Sequence, residues 1–156
     1  MSQASSPPLQ LLKSGQLLSL TADSQGWLLI QKPYFAEFAG PGAAVGGSFD
    51  IKCTSVYVIG NVKFQVPETH AERQQAYQQR ISYIEQLQKI TSDPSPLSCA
   101  HTMVNQLNQW CGVDEVKNIP NECIAQLIGA LPQTVAAARQ HLPQGTPTKT
   151  SQVAPV

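Results

Sequence analysis

Residues 95–131 read SPLSCAHTMVNQLNQWCGVDEVKNIPNECIAQLIGAL, and this stretch carries nearly every signal that starts or ends a short helix. Ser95 is a natural N-cap, and Pro96 suits the first helical position, where no amide donor is needed. Gly112 marks the end, because glycine adopts positive φ without a Cβ clash. Between them, apolar residues recur at helical spacing: Leu97, Ala100, Val104, Leu107 and Cys111. We therefore predict one amphipathic helix from Pro96 to Gly112.

A second helix is predicted after a connector at residues 114–118. Pro120 opens it, and Pro132 ends it and suits the start of a last short helix, TVAAARQHL at residues 134–142. Helices this short are unstable alone in water, so we expect them to pack on one another. The apolar positions of the second helix are Cys123, Ile124, Leu127, Ile128 and Leu131.

A longer helix is predicted upstream of this stretch. Thr69 and Glu72 have the spacing of a capping box, in which each side chain accepts a hydrogen bond from the other residue's backbone amide. An apolar stripe follows at spacings of four, three and three, which indicates a helix reaching to about residue 90: Tyr77, Ile81, Ile84 and Leu87. The sequence Asp-Pro-Ser-Pro at residues 93–96 then breaks the helix.

The N-terminal half shows the pattern of short strands. Apolar runs at residues 16–21 and 26–31 are separated by residues 22–25, which predicts a hairpin. Phe49, Ile51 and Cys53 alternate with polar residues, as in a strand with one solvated face.

A second hairpin is predicted further along this half. The apolar run at residues 56–59 and the alternating residues 62–66 flank the pair Gly60-Asn61. Such pairs are typical of two-residue hairpin turns, which need positive φ. These patterns together predict an α+β protein, a small antiparallel sheet of about four strands followed by roughly three or four short helices.

The composition suggests where the chain divides. Residues 1–8 and 143–156 are small, polar and proline-rich, and both are predicted to be disordered tails. Near residue 67 the chain changes from a β-branched, glycine-punctuated half to a glutamine-rich helical half. We therefore divide it into a β-rich part at residues 9–67 and a helical part at residues 68–142.

Charge and cysteine content exclude several classes of protein. Ten basic residues balance ten acidic ones along the 156-residue chain, so no tight, charge-driven binding to nucleic acid is expected. No stretch is apolar over the ~18 residues of a membrane span, and the N-terminus lacks a secretion signal. We expect a protein of the cytoplasm, or one associated with a virion, in which the four cysteines are buried thiols.

The sequence contains no pattern that favours a metal, a cofactor or a catalytic group. Cys99 and His101 lie two residues apart, so on a helix they point about 200° away from each other and do not chelate one ion. A thiol enzyme would need Cys53 or Cys99 to meet a histidine through folding alone. Asp114-Glu115 has the spacing of a turn rather than of paired catalytic carboxylates. We expect no cofactor and no enzymatic activity.

The segment GPGAAVGG at residues 40–47 superficially resembles a dinucleotide-binding loop. That motif works by ending a buried strand and opening a helix, whereas a strand-like SFDIKC follows here. We predict a flexible loop between strands, and we expect it, ahead of the other loops in the chain, to be disordered; a role as a flap over a partner stays open.

Aromatic residues supply the candidate partner-contact sites. A stacking platform for single-stranded nucleic acid also needs basic residues that contact the backbone, and few basic residues lie near these aromatic residues in the sequence. A core or a protein-contact role is favoured, since aromatic residues dominate cores and interfaces. The candidate contact residues are Trp27, Tyr34, Phe35, Phe38 and Trp110.

The run MVNQLNQWCGVDEVKNIPNECIAQLIGAL at residues 103–131 resembles the C-terminal helical module of bacteriophage antirepressors and related phage regulatory proteins. The shared outline is an amphipathic helix ending in Gly112-Val113, a short connector, and Ile119-Pro120 opening a final helix. The resemblance implies a phage or mobile-element protein that acts by binding other macromolecules.

Three functions remain open from the sequence. The first is a non-catalytic module that binds a protein partner in a phage-like or mobile-element context. The second is a small assembly component, for example of a virion, which self-associates or orders against its neighbours. The third is a small cytosolic enzyme that uses Cys53 or Cys99 as its nucleophile. Homo-oligomerisation is compatible with the first two.

Overall fold

A computed structural model describes residues 6–141 of the chain, and it confirms the α+β class. The strands in this range are β1 (Leu17–Leu20), β2 (Gln25–Gln31), β3 (Ala36–Ala39), β4 (Ala44–Gly46), β5 (Ser55–Asn61) and β6 (Phe64–Gln65). The helices in this range are α1 (Ser6–Lys13), α2 (His70–Thr91), α3 (Pro96–Cys111), α4 (Val113–Val116), α5 (Asn121–Ile128) and α6 (Pro132–His141).

The strands form two antiparallel sheets instead of one. Their orders are β4-β1-β6 and β3-β2-β5, so β1 and β2 lie in different sheets. The predicted hairpin between residues 16–21 and 26–31 is therefore wrong. Both strands are apolar and central, and each takes its two neighbours from elsewhere in the chain: β1 pairs Leu18 with Val45, and β2 pairs Leu28 with Ala39 and Val58.

Gly60 lies within β5, where it pairs with Gly26 and needs the conformational freedom of glycine. Its φ is 73°, and an added Cβ would lie 2.5 Å from the carbonyl oxygen of Gln25 on the paired strand. Beyond it the chain enters β6, where Phe64 pairs with Leu20 of the other sheet. The predicted hairpin turn at Gly60-Asn61 is wrong, although the positive φ that suggested it is present.

The segment from residue 40 to residue 53 is compact. The predicted disordered loop is wrong, because Ala44–Gly46 forms β4 and is buried. The predicted strand through Phe49, Ile51 and Cys53 is also wrong. A short 3-10 helix, Gly47–Phe49, occupies its start, and a turn follows in which the Cys53 amide donates to the Asp50 carbonyl at 3.1 Å.

Most helix boundaries agree with the sequence signals, but the helix that Pro120 opens does not reach Pro132 as predicted, because Gly129 takes a left-handed conformation (φ 70°) and ends α5 at Ile128. Thr69 and Glu72 form the predicted capping box at the start of α2. Ser95 accepts a hydrogen bond from the Ser98 amide at the start of α3, which ends before Gly112 at φ 94°. α4 lies in the predicted connector, and α3, α5 and α6 pack together.

The buried face of α2 differs from the predicted stripe. Ala76, Arg80 and Tyr83 are buried, whereas Tyr77 and Ile81 are exposed. Arginine side chains on a helix usually face solvent, but Arg80 forms ion pairs with Glu37 and Asp50 inside the fold. One apolar face of this helix is therefore left uncovered by the rest of residues 6–141.

Helix α1 begins inside the range 1–8 for which the sequence predicts a tail. Residues 1–5 of that range, residue 142 and the predicted tail at residues 143–156 lie outside the described residues. No helix within residues 6–141 is both long and apolar enough to cross a membrane.

Candidate protein-binding surface over a buried ion cluster

Three of the predicted contact residues belong to an internal aromatic cluster. The rings of Trp27, Phe38 and Trp110 stack with centroids 4.8–5.5 Å apart, and Tyr83 meets all three edge-on. Phe38 is 2% exposed, while Trp27 and Trp110 are half-buried. The cluster joins β2 and β3 to α2 and α3, so its rings hold the two halves of the protein together.

The other two predicted contact residues lie on the surface. Tyr34 and Phe35 occupy the turn between β2 and β3, and they are 94% and 47% exposed. The Lys32 amide closes this turn by donating to the Phe35 carbonyl at 2.7 Å. The turn therefore holds two aromatic side chains outward on a short, hydrogen-bonded support.

Four charged side chains meet beneath this turn, and we call them the ion cluster: Lys32, Glu37, Asp50 and Arg80. The Lys32 ammonium lies 3.2 Å from Asp50 and 3.4 Å from Glu37. The Arg80 guanidinium lies 2.5 Å from Glu37 and 3.1 Å from Asp50. Two cations and two anions thus balance within the cluster.

Backbone groups fix the positions of the cluster. Gly46 donates its amide to Asp50 at 2.8 Å, and Arg80 donates to the Ala44 carbonyl at 2.9 Å. Burial opposes the charged guanidinium, but hydrogen bonds and charge from Asp50 and Glu37 outweigh it, so the pKa of Arg80 lies above its ordinary value. The guanidinium stays charged and connects α2 to β4 and to the turn that follows.

Aromatic rings cover the cluster on its solvent side. The Phe49 ring centroid lies 5.1 Å from the Arg80 guanidinium carbon and 6.1 Å from the Tyr77 ring. The Phe35 ring lies 5.7 Å from the Lys32 ammonium. Phe35, Phe49 and Tyr77 are all more than a third exposed, and we call these three residues the aromatic surface.

Sequence reasoning found one member of the aromatic surface and missed two. Phe35 was a candidate contact residue. The sequence pattern predicts a strand at Phe49 and a buried helix stripe at Tyr77, so it indicates neither residue as a contact site. Their exposure depends on Asp50 and Arg80 occupying the interior, and no local pattern in the sequence signals that long-range pairing.

Burial disfavours the thiolate form of all four cysteines. Burial raises the pKa of each thiol, and for Cys111 the value reaches about 12. Thiolates are the reactive form of cysteine, so all four favour the unreactive form at neutral pH. Cys53 and Cys99, the two candidate nucleophiles, are buried.

No group of three or more potential metal ligands occurs among residues 6–141. A cleft of about 290 Å³ lies between β1 and the N-terminal part of α2. Glu72 is the ionisable side chain in its lining, and the capping box already engages it.

Comparison with known proteins yields no relationship: no protein-family model, no curated protein and no solved structure matches this chain.

Proposed function

We propose that this chain is a non-catalytic module that binds a protein partner through the aromatic surface. The observation that carries the proposal is the exposure of three aromatic rings next to the ion cluster. Backbone hydrogen bonds fix the side chains of this cluster in place. Aromatic side chains are enriched in interfaces, and rings that are already positioned lose little conformational entropy on binding.

The two cations of the ion cluster also support the proposal. Lys32 and Arg80 each lie against the face of an exposed ring, Phe35 and Phe49 respectively. Such cation–π contacts restrict ring motion before a partner arrives. Tyr34 extends the same turn outward and supplies a hydroxyl group for a polar contact at the edge of the surface.

The phage-like or mobile-element context of the proposal rests on the resemblance of residues 103–131 to the phage antirepressor module. In that context the chain would regulate another macromolecule by binding it in the cytoplasm. The exposed apolar face of α2 favours a second candidate, a small assembly component, for example of a virion. The raised thiol pKa values argue against the third candidate, an enzyme with a cysteine nucleophile.

The proposal does not include charge-driven binding to nucleic acid. Several basic side chains are already engaged within the protein. Lys32 belongs to the ion cluster, Lys13 donates to the carbonyls of Ile51 and Cys53, and Arg73 donates to the Glu68 carbonyl. Fewer cations are therefore free to contact phosphates than the sequence suggests.

Affinity capture from the source organism tests the proposal. The bait proteins are the wild type, a Phe35→Ser/Phe49→Ser double variant, and a Val113→Ser control at an exposed apolar site outside the aromatic surface. We expect a specific protein to be retained by the wild type and the control and lost by the double variant. Equal retention by all three baits would contradict the proposal.

A further inference from the structure

Strand β5 forms an open edge of the sheet β3-β2-β5. It pairs with β2 on one side, and no other strand within residues 6–141 pairs with its second side. Of its seven residues, Ile59 is buried and the others are exposed or half-buried. A strand edge of this kind presents unpaired N–H and C=O groups, with which another extended chain can pair.

The register of the sheet shows which backbone groups face outward. The Lys32 amide donates to the Phe35 carbonyl and continues the β2–β3 ladder, so the even-numbered residues of β2 direct their backbone groups toward β3. The odd-numbered residues of β2 therefore bond to β5, where their partners are odd-numbered residues such as Tyr57. The amides and carbonyls of Val56 and Val58 point away from β2, and no other backbone group within residues 6–141 bonds to them.

The two sheets have three other edge strands within residues 6–141, and each is protected. β3 and β4 are almost wholly buried, and both pack against α2. β6 has two residues and is followed closely by Pro67. Covering elements, short strands, prolines and charges are the means by which proteins prevent pairing at sheet edges.

β5 has fewer of these protections. It is seven residues long and contains no proline and no charged residue. Helix α1 reaches the chain just before it, where Lys13 donates to the Cys53 carbonyl. Beyond that point the edge at Val56 and Val58 is open to a partner.

We propose that the β5 edge binds an extended segment of a protein partner, which adds to the sheet as a fourth strand. This inference goes beyond the proposed function, because β5 lies at the opposite edge of the sheet from β3 and the turn that carries Phe35. The added strand forms about four backbone hydrogen bonds, through the amide and the carbonyl of each of Val56 and Val58.

The properties of β5 indicate what kind of segment it accepts. Gly60 has φ 73°, so the regular part of the edge ends before it. An edge of this length suits a short segment better than a second folded copy, since stable interfaces between folded proteins bury about 800 Å² per partner. Val58 is 39% exposed and β5 carries no charge, so the segment is uncharged and places a β-branched residue beside Val58.

Amide hydrogen exchange in the full chain tests whether the edge is open. We expect the amides of Val56 and Val58 to exchange much faster than those of Tyr57 and Ile59, which bond to β2. Slow exchange of all four amides would show that the edge is already covered and would overturn the proposal.

A displayed library of random heptapeptides supplies the probe. We expect selection on the wild-type protein to give an uncharged, β-branched peptide whose binding slows exchange of the Val58 amide. N-methylation of the peptide amides that point toward β5 weakens binding at least about tenfold, whereas N-methylation of the intervening amides does not. A library that yields no binder, or a binder that tolerates both sets of N-methyl groups, overturns the proposal.

A substitution in β5 gives an independent test with the same peptide. Val58→Pro removes the outward amide, and proline at such an edge position leaves the inner ladder intact. We expect it to weaken binding at least about tenfold, while the control Val58→Thr, which keeps the amide and the β-branched shape, binds like wild type. Fluorescence of Trp27 and Trp110 shows whether each variant folds, and the N-methylated peptides need no variant. Equal binding by folded Val58→Pro and wild type would contradict strand addition.

Sedimentation equilibrium separates the partner segment from a second copy of the chain. A wild type that stays monomeric while it binds the peptide supports the proposal. A dimer that Val58→Pro abolishes and Val58→Thr keeps would assign the edge to a second copy and overturn it. Capture with the Phe35→Ser/Phe49→Ser variant is independent of these outcomes, because neither residue lies in β5.

Discussion

Arg80 and Asp50 form a two-point ion pair in the interior of this protein. Each terminal nitrogen of the guanidinium lies 3.1 Å from a different oxygen of the carboxylate. Their side chains are 5% and 0% exposed, so water does not screen the pair. The contact fixes α2 to the turn after β4, and this arrangement holds Phe49 beside Tyr77 on the surface.

Removing one member of the pair should destabilise the fold strongly. Asp50→Ala leaves Arg80 buried without its main counter-charge, and such changes cost about 3–5 kcal/mol. Urea denaturation followed by tryptophan fluorescence measures the loss. Asp114→Ala is the control, because the side chains of Asp114 and Lys117 are 97% and 67% exposed and lie 3.8 Å apart. Equal losses in the two variants would show that the ion cluster does not stabilise the fold.

Replacing either of two helix-ending glycines with asparagine should change the stability of the fold by different amounts. Gly112 has φ 94° and ψ 145°, a region that is nearly exclusive to glycine, whereas Gly129 has φ 70° and ψ 32°, which asparagine tolerates. An added Cβ meets no atom within 4 Å at either site, so the backbone alone decides the outcome. We expect Gly112→Asn to cost about 1–3 kcal/mol. Thermal melts should show a much smaller change for Gly129→Asn, and the reverse order would contradict the backbone geometry.

The capping box of α2 should make stability depend on pH. Hydrogen bonds from the Glu68 and Thr69 amides lower the pKa of Glu72 below its ordinary value. A lowered folded pKa gives stability that is present above the unfolded pKa and is lost as the pH falls through the folded one. We expect wild type to exceed Glu72→Gln in stability near about pH 7 and to lose that advantage progressively as the pH falls below about 4, the ordinary pKa of a glutamate. A difference that is constant over this range would contradict the capping contact.

The thiols should be nearly inert in the folded protein. With a pKa of about 12, only about one Cys111 side chain in 10⁴ is a thiolate near pH 8, although Cys111 is the most accessible of the four cysteines. Titration with a coloured disulfide reagent should give slow reaction in buffer and four rapid equivalents in denaturant. Rapid native reaction of one thiol would identify an activated cysteine and revive the enzyme hypothesis.

Local signals predicted most of the helix ends, because the groups that decide them lie within a few residues of each other. Thr69 and Glu72 satisfy backbone amides of the same turn, and Gly112 needs only its own backbone freedom. Strand pairing failed for the opposite reason. Several apolar strands could pair with β1 or β2, and the local sequence does not indicate which pairing buries more apolar surface.

The five predicted contact residues divide between the surface and the interior. Tyr34 and Phe35 are exposed as a contact role requires, while Phe38 is an interior residue. The ion cluster was not anticipated, because Lys32, Glu37, Asp50 and Arg80 are charges that a one-dimensional pattern assigns to solvent. Because Arg80 lies on the buried face of α2, Tyr77 and Ile81 lie on the exposed side of the helix.

Site-specific photo-crosslinking in cells of the source organism tests the central claim, that the aromatic surface binds a protein. Benzoylphenylalanine replaces Phe35 or Phe49, one at a time, and replaces Val113 in the control. We expect a discrete crosslinked protein from positions 35 and 49 that is absent from position 113, and mass spectrometry identifies it as another protein or a second copy of this chain. No adduct at either position, or the same adducts at all three, would contradict the claim.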